Sequence, residues 1–116
     1  MAVLAMVLPV LPGKEASWEQ TLATLAGPRR AEFGAARRRQ GVRRERIWRQ
    51  RTPEGSLEIL YLEVDDPDRT FREIATSQEP FDVWFRGYVL DHYGLDLAQP
   101  MPGPLPDLVI DWSADE

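Results

Sequence analysis

The single histidine of the chain, His92, follows Phe81, Trp84, Phe85 and Tyr88 at intervals of three and four residues. On a helix those positions lie on roughly one face. An imidazole titrates near neutrality, so His92 in a cavity beneath that helix is a candidate general base or haem contact. The same position also has a packing account, because a histidine near a helix C-terminus is favoured by the helix dipole. A second group comprises Trp48 and Tyr61 on strands, with Arg46 two residues before Trp48 and therefore on its face. Aromatic walls with one guanidinium suit a small aromatic or polyketide-like ligand, the arginine orienting an anion or phenolate. Aromatics and arginine are equally the residues enriched where two protein surfaces meet. Arg46, Trp48, Tyr61, Trp84 and Tyr88 are thus the candidate ligand-binding residues, and His92 is the candidate catalytic one.

Other chemistries are excluded by what is missing. The chain has no cysteine, which removes disulfides, thiolate metal sites, iron–sulfur ligation and cysteine nucleophiles. One histidine without matched carboxylates does not make a structural metal site. No glycine-rich phosphate loop, nucleophile elbow or metal-binding helix motif is present. The expectation is a protein without cofactor or metal.

Charge is distributed unevenly. The net charge is -5, yet Arg29 to Arg51 holds ten arginines against Glu32 and Glu45 alone. Clustered guanidinium groups can neutralise phosphates. The molecule as a whole is acidic, however, and arginines alternating along a hairpin can pair with Glu45, Glu58 and Glu63. Nucleic acid is therefore not the expected partner. No stretch of about 18 apolar residues occurs, so no membrane span is expected. The apolar start lacks a basic flank and is interrupted by Pro9, Pro12 and Gly13, which favours a cytoplasmic protein over a secreted one.

These residues must be positioned by a single domain, since 116 residues allow only one core. Ala2 to Leu11 is a continuous apolar run, the pattern of a strand buried on both faces. Ser17 and Gln20 form a capping-box pattern ahead of Trp18, Leu22 and Leu25 at helical spacing. Gly27-Pro28 divides this helix, and a second piece runs from Pro28 to Gln40, with Arg30, Arg37, Arg38 and Arg39 read as solvated and Gly41 as its stop. Val42–Thr52 and Ser56–Val64 read as strands joined by a turn at Thr52-Pro53-Glu54-Gly55. Leu57, Ile59 and Tyr61 share one face of the second, and Leu60, Leu62 and Val64 the other. Asp66 or Asp68 caps a short helix carrying Phe71, Ile74 and Ala75, and another helix runs from Pro80 to Tyr93, ended by Gly94. A proline-rich connector, Gln99 to Pro106, leads to a last predicted strand, Asp107–Trp112, followed by an acidic end.

Strand, helix, strand, strand, helix, strand is the order of the ferredoxin-like α+β motif, here with both helices broken. Its four-stranded antiparallel sheet carries both helices on one face. Strands one and three are apolar on both faces, so the uncovered face needs a cover, and the simplest is the same face of a second copy.

Three segments carry a resemblance: Arg44 to Asp66 (RERIWRQRTPEGSLEILYLEVDD), Pro80-Phe81-Asp82 with Trp84-Phe85-Arg86, and Pro104-Leu105-Pro106-Asp107-Leu108-Val109 ending in Asp111-Trp112. They resemble an uncharacterised family of small proteins of actinobacterial type. The order of elements resembles the dimeric α+β barrel superfamily, which includes antibiotic-biosynthesis-type and haem-degrading monooxygenases, chlorite dismutases and stress-responsive barrel proteins. The haem-degrading members pair a helix histidine with an asparagine and a tryptophan, and this chain has no asparagine. The resemblance implies a homodimer pairing through the sheet. It leaves two functions open: a structural or small-molecule-binding protein, or a cofactor-independent monooxygenase or isomerase acting on a small aromatic or polyketide-like compound.

Overall fold

The computed structural model describes residues 1–115 as three strands and four helices. In chain order they are β1 (Ala2–Pro9), α1 (Glu15–Ala26), α2 (Arg30–Arg39), β2 (Val42–Thr52), β3 (Gly55–Val64), α3 (Pro67–Thr76) and α4 (Pro80–Tyr93). The architecture is α+β, an open antiparallel sheet of order β1-β3-β2 with the helices against one face. Among the described residues no helix is long and apolar enough to cross a membrane.

Local sequence explains most boundaries. Asp66 caps α3 by accepting from the amides of Asp68 and Arg69, with Pro67 at the first helical position. Gly41 (φ 76°) and Gly94 (φ 70°) take the left-handed conformation after α2 and α4, which a side chain would strain. The helix expected from Ser17 begins earlier, at Glu15, and Ser17 caps nothing: its hydroxyl is engaged by His92 instead.

Register sorts the sheet into two faces. Leu4, Met6 and Leu8 of β1, Glu58, Leu60 and Leu62 of β3, and Glu45 and Ile47 of β2 face the helices. Val3, Ala5 and Val7, then Leu57, Ile59, Tyr61 and Glu63, then Arg44, Arg46 and Trp48 face away. A bulge between Val42 and Arg44 sets Arg43 outside the ladder, so that Val42 is buried opposite Val64 while Arg44 stands outward opposite Glu63. The core forms where the inner face meets the helices, around Trp18, Tyr88 and Val89 at one end, Leu25, Ala36 and Phe81 in the middle, and Val42, Leu62 and Val64 at the other.

Two expectations are corrected. The fourth strand is absent: Asp107–Trp112 makes no ladder, and Leu108, Val109, Ile110 and Trp112 are 64–86% exposed. β-propensity alone does not make a strand, which also needs a neighbouring edge. The connector before this segment turns at residues 97–98 and bends at Pro102–Gly103, and the segment meets neither edge of its own sheet. The radius of gyration, 14.6 Å, accordingly exceeds the roughly 13 Å of a compact domain this long. The sheet is thus three-stranded, and the four-stranded ferredoxin-like pattern is met only loosely. The acidic end read after Trp112 reaches Glu116, outside the described residues.

The second correction concerns α2, whose arginines are not all solvated. Arg37 is half-buried in an ion pair with Glu45 (2.6 Å), its guanidinium stacked on Phe33 and Phe85. Arg39 reaches the buried carboxylate of Asp82 (2.9 Å), which also accepts from Ser77 and Gln40. Two long, half-apolar side chains tie the end of α2 to the sheet and to α4.

Candidate functional site

Period-two alternation places Glu58 on the inner face of β3, two residues from Leu60 and four from Leu62. A carboxyl group there is expensive unless it is bonded. Glu58 is 5% exposed, and two donors converge on its Oε1: the indole Nε1 of Trp18 on α1 (3.1 Å) and the hydroxyl of Tyr93, the last residue of α4 (2.5 Å). Because the Tyr93 proton is committed to Glu58, the 3.3 Å contact between the Tyr88 and Tyr93 hydroxyls is donated by Tyr88. The three groups form a chain, Tyr88 to Tyr93 to Glu58.

Glu58 Oε2 accepts no hydrogen bond among the described residues and keeps some solvent exposure. With both donors on Oε1, it is Oε2 that remains for the cavity Glu58 lines. That cavity, of about 60 Å³, lies between the sheet and the helices. Its wall is aliphatic and aromatic, including Met6, Leu60, Leu62, Phe71, Phe85 and Tyr88, with Glu45 and Arg37 as a second, internally neutralised polar element.

Burial pushes the Glu58 carboxyl above the usual range, and the Glu45 charge adds to this; the Tyr93 and Trp18 hydrogen bonds and the Arg37 charge oppose it. Burial likewise pushes the Tyr88 hydroxyl up to about 12. The Tyr93 hydroxyl is raised by burial and then by the charge of Glu58 beside it. The arrangement is an acid that ionises late, braced by two phenols that stay protonated, with one oxygen left without a protein partner. It can donate to a carbonyl oxygen when protonated, accept from a hydroxyl when ionised, and move a proton between the two states.

The structure separates the residues that the sequence suggested. Tyr88 lies on the cavity wall and belongs to the acid's hydrogen-bond chain. Trp84, on the same helix, stacks on Tyr88 (5.7 Å between ring centroids) and carries the Arg29 guanidinium on its face (4.2 Å), at the protein surface. His92 is buried, and the cavity wall does not include it. Its Nδ1 donates to the Tyr88 carbonyl (2.9 Å), which leaves Nε2 to accept from the Ser17 hydroxyl (2.8 Å), so the ring joins α4 to α1. Arg46, Trp48 and Tyr61 occur together, but on the outer face of the sheet: the Arg46 guanidinium lies 5.9 Å from the Tyr61 ring, and the Tyr61 hydroxyl donates to Glu63 (2.7 Å). Sheet thickness lies between this trio and α4, so the two groups do not line one pocket.

Glu58, Tyr93, Trp18, Arg37 and Glu45 were not among the sequence candidates. Glu58 did carry a signal, since alternation from Leu60 and Leu62 places a carboxylate on an otherwise apolar face. Its assignment to the arginine hairpin ladder masked that signal; in the structure Arg49 lies opposite Glu58 in register but ion-pairs with Glu19. Among the described residues no cluster of acidic and histidine side chains is arranged to hold a metal ion. Comparison of the chain with models of known protein families and with curated proteins gives no match.

Proposed function

We propose that the protein binds a small, mostly apolar molecule carrying one hydrogen-bonding oxygen, in the cavity between sheet and helices, with Glu58 recognising that oxygen. The observation that carries this reading is Glu58 itself, a buried carboxyl with one oxygen held by Trp18 and Tyr93 and the other left without a protein partner on an apolar wall. Cavity size sets the ligand class. At about 60 Å³ it is well below the roughly 150 Å³ that takes a benzene ring, so short-chain ketones and alcohols fit and a polyketide-like compound does not.

The test is a panel of short-chain ketones and alcohols followed by amide chemical shifts. Ketones bind best when Glu58 is protonated and lose affinity as pH rises through its raised pKa, while alcohols show the opposite trend. Glu58→Gln, whose amide donates at every pH, binds the ketone without pH dependence, and Glu58→Leu binds neither class. Absence of binding in the wild type, or equal binding by Glu58→Leu, refutes the proposal.

A second reading concerns assembly and rests on the outer sheet face. Val7, Ile59 and Trp48 form one cross-strand row there, with Val7 and Trp48 about half exposed. Ala5, Tyr61 and Arg46 form the next row. A homodimer pairing these faces buries the apolar rows and leaves Arg44, Arg46 and Glu63 to bond at the rim. This dimer does not depend on the ligand site, and its test is given below.

A further inference from the structure

An open groove of about 880 Å³ lies between α2 and the start of β2, and Arg43 at its edge is ion-paired with Asp65. Arg30, Arg37, Arg38, Arg43 and Arg44 line it, over a floor that includes Phe33 and Val42. Glu45 is the one acidic residue of the lining and is already neutralised by Arg37. Arg30 and Arg38 are exposed and make no ion pair among the described residues, and Arg44 reaches Glu63 only at 4.0 Å. β2 is also an edge strand, with no neighbour beyond it in the sheet.

The chain carries a segment of matching chemistry. Extended, Asp107–Trp112 presents Asp107, Val109 and Asp111 on one side and Leu108, Ile110 and Trp112 on the other, over about 20 Å. It is exposed along its whole length, and neither Asp107 nor Asp111 makes an ion pair among the described residues. The connector before it brings Leu97 beside Phe71 and Ile74 of α3 and then bends at Pro102–Gly103. In its own chain the segment is exposed along its whole length and occupies no groove.

We propose that Asp107–Trp112 of one copy docks in the arginine-lined groove between α2 and β2 of a second copy. The carboxylates of Asp107 and Asp111 meet Arg30 and Arg38, and Leu108, Ile110 and Trp112 cover the Phe33 and Val42 floor. The docking is independent of both the cavity ligand and the outer-face dimer.

The experiment uses a chain ending at Pro106, checked for folding by circular dichroism, and a fluorescein-labelled peptide of residues 107–115 read by anisotropy. The expected result is saturable binding that weakens about tenfold or more between low and high salt, as screened ion pairs do. Binding is lost in the double variant Arg30→Glu with Arg38→Glu, kept when both become Lys, and unchanged by Ile59→Glu on the sheet face. In the full-length chain, Asp107→Lys with Asp111→Lys lowers the associated mass seen by light scattering, which keeps the test decisive if the shortened chain does not fold. Peptide binding that charge reversal leaves intact, no peptide binding to the folded shortened chain, capture of a labelled oligonucleotide in place of the peptide, or an unchanged mass for the Asp107→Lys/Asp111→Lys chain overturns the proposal.

Discussion

The hydroxyl of Tyr93 donates to Glu58 Oε1 across 2.5 Å, so the last residue of α4 is fastened to the middle of the central strand. The bond closes one end of the cavity and selects which carboxylate oxygen remains for a ligand. It also couples the charge of Glu58 to folding.

That coupling has a sign. The folded-state pKa of Glu58 lies above its unfolded value, so its contribution to stability is fully present at acid pH, below the ordinary glutamate range. It is lost as pH rises through the raised value, because the folded protein must then hold a buried charge. Glu58→Gln keeps an oxygen for Trp18 and Tyr93 without titrating. Thermal unfolding between pH 4 and 8 should show the melting temperature of this variant gaining on the wild type as pH rises. A constant difference across that range contradicts the assignment.

Removing the phenol should act in two ways. Tyr93→Phe deletes a donor to a buried carboxyl, at a cost of about 1–3 kcal/mol. With one fewer hydrogen bond stabilising the anion, the Glu58 pKa should move further up. Denaturant unfolding gives the first quantity, and carboxyl titration by NMR the second; a Glu58 pKa that falls in Tyr93→Phe is incompatible with the observed geometry.

The pair formed by Arg37 and Glu45 is largely shielded from solvent, with the Arg37 guanidinium against Phe33 and Phe85. Breaking it from one side, as in Arg37→Leu, strands a carboxylate in the cavity wall and should cost about 3–5 kcal/mol. Replacing both partners by leucine should recover most of that loss. Urea titration of the two variants distinguishes this from a simple surface ion pair, for which single and double variants differ by less than about 1 kcal/mol.

On the outer face, Ile59→Glu sits in the middle of the Val7, Ile59 and Trp48 row and touches no part of the cavity. In the sheet-face dimer of a chain ending at Pro106, which lacks the segment that docks beside α2, it converts a mass near that of two chains to the monomer value in light scattering, with the circular dichroism spectrum retained. A wild-type mass of one chain removes the dimer, and an Ile59→Glu mass equal to the wild-type dimer moves the interface elsewhere.

Local signals in the sequence reached far into this fold. The Asp66 cap, the Gly27-Pro28 break, the glycine stops at 41 and 94 and the Thr52–Gly55 turn all depend on neighbours within a few residues, and all are present. The last strand failed for the complementary reason. Leu108 to Trp112 has strand-forming residues, but whether an edge lies beside it is a long-range matter that composition does not encode. The site was harder still. Arg46, Trp48 and Tyr61 stand out by residue type, yet alternation along β2 and β3 turns them away from the helices. Glu58 looks like an ordinary hairpin glutamate until the face shared with Leu60 and Leu62 is known to be the covered one. His92 stands out as the lone histidine, yet its Nδ1 bonds the Tyr88 carbonyl one turn back on α4 and its Nε2 bonds Ser17 on α1, a partner far away in sequence.

The most direct test of the ligand-binding claim is the side-chain carboxyl resonance of Glu58, followed by NMR in protein carrying carbon-13 glutamate, with and without a short-chain ketone. The account predicts a pKa above the other glutamates in the free protein, and a further rise when the ketone is bound, because a carbonyl oxygen stabilises only the protonated acid. A Glu58 resonance that titrates with the exposed glutamates, or one that the ketone leaves unchanged at saturating concentration, would contradict it.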